Sequence, residues 1–449
     1  MTISLSAIIE SLDQQILSDP ATASHRFAHL LTAERELGLL HGERPTCPFL
    51  RPHILSRTQY DEVSHAAQTI ARAFEKLVAY ALADDDLLRE LGMTEKEEKL
   101  ARVDPGYSRL CVTSRLDGYL NESGFQFFEY NAESPAGIAD QMQLEALLFE
   151  LPHVKQLMRQ YPHWRPQPHK RLLDSLVAAY REWGGEEEFP QIGIVDWEGV
   201  STATEFEILR KYFTSLGHHT IIADPRALEY DGMYLTAAGT RIDILYKRVI
   251  IHEFLARFDE SHPLARAFAD HRVCMANSFR TKVAHKKSGF AILSDPRYAT
   301  LFTDGENRII KRCIPWTRWL REGPTSFHDS ERDLREILQT ERDRLVLKPN
   351  DDYGGQGVIF GWETECGEWA NAVQHALKFR YVVQERVPVR KVSIPTFTDH
   401  LAAQEMIVDF DPFLFRNEVE GGLVRLSASS LSNVSSGGGE TAMLVLENY

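Results

Sequence analysis

Four polar residues in two short extended runs carry the clearest chemical signal in the chain: Arg115 and Asp117 in RLCVTSRLDGY, and Glu129 and Asn131 in FQFFEYN. Side chains two apart on a strand share a face, so each pair projects together. The intervening Asn121-Glu122-Ser123-Gly124 is rich in turn formers and predicts a β-hairpin. A turn centred near Ser123 sets Asp117 opposite Glu129 and Arg115 opposite Asn131. Two carboxylates and an amide oxygen on rigid strands suit Mg2+, which takes one or two carboxylates and leaves its other positions to water and phosphate. The arginine would neutralise phosphate charge. An exposed hairpin face bearing ordinary polar side chains is the competing reading of the same four residues.

A second constellation lies far downstream. In RLVLKPNDDYGGQGVIF an apolar strand delivers Lys348, followed by a loop with Gly354, Gly355 and Gly357. Backbone amides approach phosphate closely where no Cβ intervenes, and a neighbouring lysine adds a point charge. The loop has neither Walker nor GxGxxG spacing, and a glycine-rich hairpin turn is its structural alternative. Further on, the strand YVVQERV ends in Gln384, Glu385, Arg386 and Val387, whose amide, carboxylate and backbone groups suit an adenine edge and a ribose hydroxyl.

Strands from distant parts of the chain must hold these groups. Residues 8–100 carry helical apolar spacing (Ile70, Phe74, Leu77, Leu88, Leu91) broken by a proline-containing segment from Pro45 to Pro52. A helix is expected after Pro135 and Gly137, through QMQLEALLFEL. Then IGIVD, TEFEILRKYFTSLG, HTIIAD and IDILYKR alternate as strand, helix, strand, strand in a small Rossmann-like layer. The last third predicts strands at RLVLKP, VIFGW and RYVVQERV, a helix over 368–377, closing strands at Met406–Phe415 and Leu423–Ala428, and a Ser/Gly-rich loop from Ser427 to Gly439.

Taken together, SRLDGY with FEYNAESPAG, DILYKR, NSFRTK, LVLKP with DDYGGQG, VVQERV, and GGLVR leading to NVSSGGG resemble the circularly permuted ATP-grasp proteins. Within that group the similarity is to the glutathionylspermidine-synthase-like ligases, and it runs from Leu110 to the C-terminus. In ordinary ATP-grasp enzymes the nucleotide-binding lysines and glycine loop precede the Glu-x-Asn motif; here EYN comes first. The resemblance implies a mixed α+β and α/β fold, a circularly permuted ATP-grasp core with a Rossmann-like layer and a helical N-terminal region. The expected division is a helical region over 1–105, the metal-binding hairpin and following helices over 106–185, a Rossmann-like substrate-side domain over 186–275, and the nucleotide-binding lobe with closing strands over 276–449.

The same resemblance implies roles residue by residue. Asp117, Glu129 and Asn131 would bind magnesium, and Arg115 would stabilise the transferring phosphate. Lys348 would contact the nucleotide phosphates, Gly354, Gly355 and Gly357 would form a mobile lid, and Gln384, Glu385 and Val387 would hold adenosine. An earlier ATP-contacting lysine is expected, Lys282 in NSFRTK, with Lys286 as its rival. Arg425 would lie near the phosphates or the acyl group, and Arg248 would hold a substrate carboxylate. The implied activity is an ATP- and Mg2+-dependent joining of a small-molecule or peptide carboxylate to an amine through an acyl phosphate. The chain has no room for the amidase domain of bifunctional glutathionylspermidine synthases, and its ESPAG and SSGGGE segments depart from the glutathione-type sequence. A non-catalytic nucleotide-binding module and a phosphotransferase are the alternatives.

Composition excludes several other classes. The 449 residues are 43% hydrophobic, enough for a large core, and 65 acids against 50 Lys and Arg leave a formal charge of −15, which argues against a nucleic-acid partner. No apolar run is long enough to span a bilayer, and no cationic leader precedes the first amphipathic stretch, so neither a membrane partner nor secretion is expected and a cytoplasmic location is. Cys47, Cys111, Cys274, Cys313 and Cys366 form no CxxC pair and fit reduced, buried structural thiols. His25 and His29 have helical metal spacing without the glutamate of HExxH, and no G-x-S-x-G elbow occurs. Asp409 and Asp411, two apart on a predicted strand, have spacing that could bind a second metal but fit mainly solvent or salt-bridge roles, and the pair Lys286-Lys287 fits a solvated face.

Overall fold

The computed structural model describes the whole chain except residues 1–3, 42–43, 122–123, 329, 353, 398–399 and 429–437. The predicted turn at Ser123 and most of the Ser/Gly-rich loop therefore lie outside the described residues. Strands β1 (Thr113–Asn121) and β2 (Gly124–Asn131) form the antiparallel hairpin read from the sequence, with Arg115 opposite Asn131 and Asp117 opposite Glu129. The register shifts between Asp117 and Gly118, so Phe128 is the unpaired residue of a β-bulge. Glycine is required at 118, because a Cβ there would lie 2.8 Å from the Phe127 ring and 3.0 Å from the Gln126 carbonyl oxygen.

The α/β layer follows. Strands β3 (Ile192–Val195), β4 (Thr220–Ala223), β5 (Ile244–Lys247) and β6 (Cys274–Ala276) form a parallel sheet in the order β6-β5-β3-β4. Residues of β3, β5 and β6 are buried throughout, as expected of parallel strands covered on both faces. Asn277, just after β6, ties this sheet to the hairpin. Its amide nitrogen donates to the carbonyls of Thr113 (2.6 Å) and Ala132 (2.8 Å), and its oxygen accepts from the Val112 amide at 2.7 Å.

Strands β7 (Thr317–Trp319), β8 (Leu345–Pro349), β9 (Ile359–Phe360) and β10 (Tyr381–Glu385) make a four-stranded antiparallel sheet in the order β7-β10-β8-β9. Its inner face packs on the helix Cys366–Ala376 through Leu345, Leu347, Val383, Trp369 and Val373. Finally β11 (Lys391–Phe397) and β12 (Leu401–Phe415) pair with each other, and β12 also pairs with β1. β13 (Glu418–Ser427) returns along β12 through a tight turn at Arg416-Asn417, both at positive φ, and the short β14 (Gly439–Thr441) closes the edge. The sheet order β14-β13-β12-β1-β2 thus puts the predicted closing strands beside the hairpin.

The first hundred residues are mainly helical, and the long helix Arg57–Ala83 buries Tyr60, Val63, Ala67, Ile70, Phe74 and Leu77 at helical spacing behind a Ser56–Gln59 capping box. They also contain the buried strand His53–Ser56, which pairs in parallel with the C-terminal strand Met443–Leu446. One continuous core joins residues from Ile8 to Leu446. Both ends of the chain therefore brace the central sheet.

Candidate active site

The hairpin sheet and the β7–β10 sheet face each other across a cavity of about 310 Å³. Lining it are Arg115, Asp117, Glu129, Asn131, Lys348, Gly354, Gly355, Gln384, Glu385, Val387 and Arg425, so eleven of the fourteen residues singled out in the sequence meet at one place. Its lining combines the apolar side chains of Val346, Val358, Phe360, Trp362, Val387 and Ile407 with these charged and polar groups.

Asp117 is the hub of the charged groups. Its carboxylate accepts two bonds from Arg115 (2.8 and 3.1 Å), one from the Asn131 amide (2.8 Å) and one from Arg425 (2.9 Å). Burial alone would raise its pKa, but the two guanidinium groups hold it below the usual carboxylate range. Glu129 is likewise held down against burial by Lys287, 2.9 Å away, and Lys348. Two ionised carboxylates thus face each other across the hairpin, and Asn131 turns its nitrogen to Asp117, leaving its carbonyl oxygen as a hard donor. That donor set fits Mg2+.

Lys348 Nζ donates to Gln384 Oε1 at 2.7 Å and to the Phe128 carbonyl at 3.3 Å, and lies 4.8 Å over the Phe128 ring exposed by the bulge. Burial pushes its ammonium down to about 8, against the opposing pull of Glu129. The Gln384 side chain is used at both ends, its nitrogen bonding Thr317 Oγ1 at 3.0 Å, and the Glu385 carboxylate is turned to Arg344 at 2.5 Å. Gly354, Gly355 and Gly357 all have positive φ, at 65°, 77° and 67°. Gly357 sits at the base of the loop, where a Cβ would lie 2.8 Å from Pro349, rather than on the cavity.

Two expected residues stand elsewhere. Lys282 is fully buried between Glu133 (2.9 Å) and Asp351 (2.5 Å), away from the cavity lining. Its rival Lys286 is also buried, bridging Glu97 (3.0 Å) and Asp351 (2.6 Å). The lysine of this segment that faces the cavity is Lys287. The reading of Lys286-Lys287 as a solvated face is thereby corrected: the helix Thr281–His285 is wedged in the interior, and acids from Glu97, Glu129 and Asp351 draw both ammonium groups inward. Arg248 is 2% exposed, and its guanidinium bonds the Pro135 carbonyl, Tyr246 Oη at 3.3 Å and Glu205 at 3.5 Å. It positions the Ser134-Pro135-Ala136 turn that lines the cavity instead of reaching the cavity itself.

The sequence reading missed several residues. Glu133, held down to about 2 against burial by Lys282 and His285, accepts from the Ile251 amide and lines the cavity. Among the described residues, Glu133, His285 and Asp351 place potential metal-ligand atoms within 4.8 Å of one another, but the ammonium of Lys282 already bonds both carboxylates. Asp351 in turn fastens the glycine loop to the Thr281–His285 helix, and Asn350 fastens it to Leu91 and Ser288. Asp409 and Asp411, far from solvent, are 1% and 0% exposed and both contact Arg425; the salt-bridge half of their expected role fits and the solvent half is corrected. Adjacent acidic residues two apart on a strand gave a signal, which the buried flank of β12 turns inward.

The fold is shared with a glutathione synthetase-like effector. That structure, from Globodera pallida, superposes with a TM-score of 0.62 over 96% of this chain and 98% of its own, at 12% sequence identity. In sequence, an uncharacterized protein of Mycobacterium leprae is 24% identical over 90% of this chain and 73% of its own length. A candidate glutamate–cysteine ligase of Frankia casuarinae is 28% identical over 44% of this chain and 23% of its own. No protein-family model matches the chain. Among the described residues, no helix is long and apolar enough to cross a membrane.

Proposed function

We propose that the chain is an ATP- and magnesium-dependent carboxylate–amine ligase of the glutathionylspermidine-synthase-like kind, with an ATP-grasp core in circularly permuted order, acting through an acyl phosphate. The observation that carries this reading is the meeting of the Asp117, Glu129 and Asn131 face with Lys348, Lys287 and the glycine loop across one cavity that also has apolar lining. An aromatic base suits the apolar lining and a polyphosphate suits the charged groups. The names carried by the Frankia and Globodera proteins, a glutamate–cysteine ligase and a glutathione synthetase-like effector, are consistent with this class.

A carboxylate is a poor acyl donor because its leaving group would be oxide. Transfer of the γ-phosphoryl group of ATP to a carboxylate oxygen makes an acyl phosphate, and an amine then displaces inorganic phosphate. Little covalent chemistry is asked of the protein, so catalysis is positioning and charge neutralisation. Lys348 and Lys287 hold phosphate oxygens, and Arg115 and Arg425 face the transferring group. Magnesium held by Asp117, Glu129 and Asn131 supplies further neutralisation of the phosphates. The glycine loop covers the acyl phosphate and keeps water from it.

The test is ADP release with substrates supplied singly and in pairs from amino acids, short peptides and polyamines. Turnover that requires both a carboxylate and an amine supports a ligase. A phosphorylated product without amine identifies a phosphotransferase, and binding without turnover identifies a non-catalytic module. Glu129→Gln is expected to abolish magnesium-dependent turnover with the fold retained; unchanged turnover would refute the site.

A further inference from the structure

Three buried carboxylates on neighbouring strands converge on a single nitrogen. Arg425 Nη2 lies 2.9 Å from Asp117, 2.6 Å from Asp409 and 2.8 Å from Asp411, while Arg115 reaches Asp117 at 2.8 Å and Asp411 at 3.8 Å. Two guanidinium groups face three carboxylates in a place where water does not screen them. Asp409 is 1% exposed, lines the cavity, and its Oδ1 finds no hydrogen-bond donor among the described residues. Its placement is fixed by register, opposite Arg425 on one side and Tyr119 on the other.

We propose that Asp409, backed by Asp411, is a further divalent-cation ligand of the cavity, and that its cation takes the position held here by Arg425 Nη2. The inference rests on the reading of the cavity as a magnesium–nucleotide site. Carboxylate oxygens gathered within 3 Å of one point are the hard donor set such a cation needs. Arg425 has the reach and the planar fork to move from carboxylate to phosphate when the nucleotide brings negative charge into the cavity. The competing arrangement is a proton shared between Asp409 and Asp411, which lie within hydrogen-bonding reach of each other.

The test is Mn2+ titration of the full chain, followed by electron paramagnetic resonance of free Mn2+, with a non-hydrolysable ATP analogue present. Asp409→Asn is expected to weaken one bound Mn2+ by at least about tenfold, while Glu129→Gln weakens another. Arg425→Gln is expected to bind Mn2+ even without nucleotide. Wild-type Mn2+ binding in D409N alongside loss in E129Q overturns this inference and leaves the functional reading standing, and it is also the result a shared proton gives. Wild-type binding in both variants overturns both. Should D409N fail to fold, Asp411→Asn gives the same comparison from the other side of the cluster.

Discussion

Replacing Lys348 with Met should make the protein more stable and unable to use nucleotide. Lys348 Nζ is buried against two neutral oxygens, Gln384 Oε1 and the Phe128 carbonyl, and burial lowers its pKa from 10.5 to about 8. At about 1.4 kcal/mol per pH unit, holding that charge in place at pH 7 costs about 3 kcal/mol. Methionine removes the cost and keeps the bulk, but leaves Gln384 Oε1 without a donor, a loss of about 1 to 2 kcal/mol. The net expectation is a gain of about 1 to 2 kcal/mol at pH 7. The sign of the pH dependence follows: between pH 8 and 10.5 the unfolded chain binds a proton that the folded chain does not, so wild-type stability rises with pH across that window. Lys247, also lowered to about 8 by burial, contributes a similar rise, so Lys348→Met should keep roughly half of it. Urea unfolding at pH 7 and pH 9.5, with ATP-analogue binding measured in parallel, reads both quantities. A variant that is less stable at pH 7, or that binds the analogue as wild type does, refutes the reasoning.

Two further substitutions separate structural from chemical roles. Gly357→Ala should weaken ATP binding about tenfold, since alanine at φ 67° costs about 1 to 2 kcal/mol and its Cβ would meet Pro349 and Tyr381; Gly354→Ala, with open space around its Cβ, should do less, as isothermal titration would show. Arg248→Met should lower stability by about 3 kcal/mol in thermal unfolding by releasing the Pro135 turn and Glu205, whereas a guanidinium that held a substrate carboxylate would instead raise KM with stability unchanged.

What the sequence disclosed divides along physical lines. The hairpin was legible because strand periodicity and turn-forming residues show which side chains share a face, but the register of Asp117 with Glu129 also needs the bulge at Phe128, since the pairing from Asn121–Gly124 to Gly118–Phe127 would otherwise set Asp117 opposite Phe128. The glycine loop was legible because the positive φ of Gly354, Gly355 and Gly357 demands glycine. The destinations of lysines were not. Lys282 in the short helix Thr281–His285, and Lys286 and Lys287 just after it, are surrounded by Glu97, Glu129, Glu133 and Asp351, four acids scattered along the chain, and only tertiary packing decides which ammonium meets which carboxylate. Arg248 ends a strand beside a turn contributed from residues far upstream, so its partners were equally invisible. The bulge at Phe128 escaped notice because one extra residue in a strand leaves no mark on alternation over so short a run.

The central claim is that a carboxylate is phosphorylated by ATP in this cavity before an amine attacks it. The most direct measurement uses a turned-over substrate whose carboxylate carries 18O, with the released inorganic phosphate examined by 31P NMR. An acyl phosphate predicts one 18O transferred from the carboxylate into phosphate for each amide formed. Phosphate free of 18O, with the label confined to the amide or to released AMP, would contradict it.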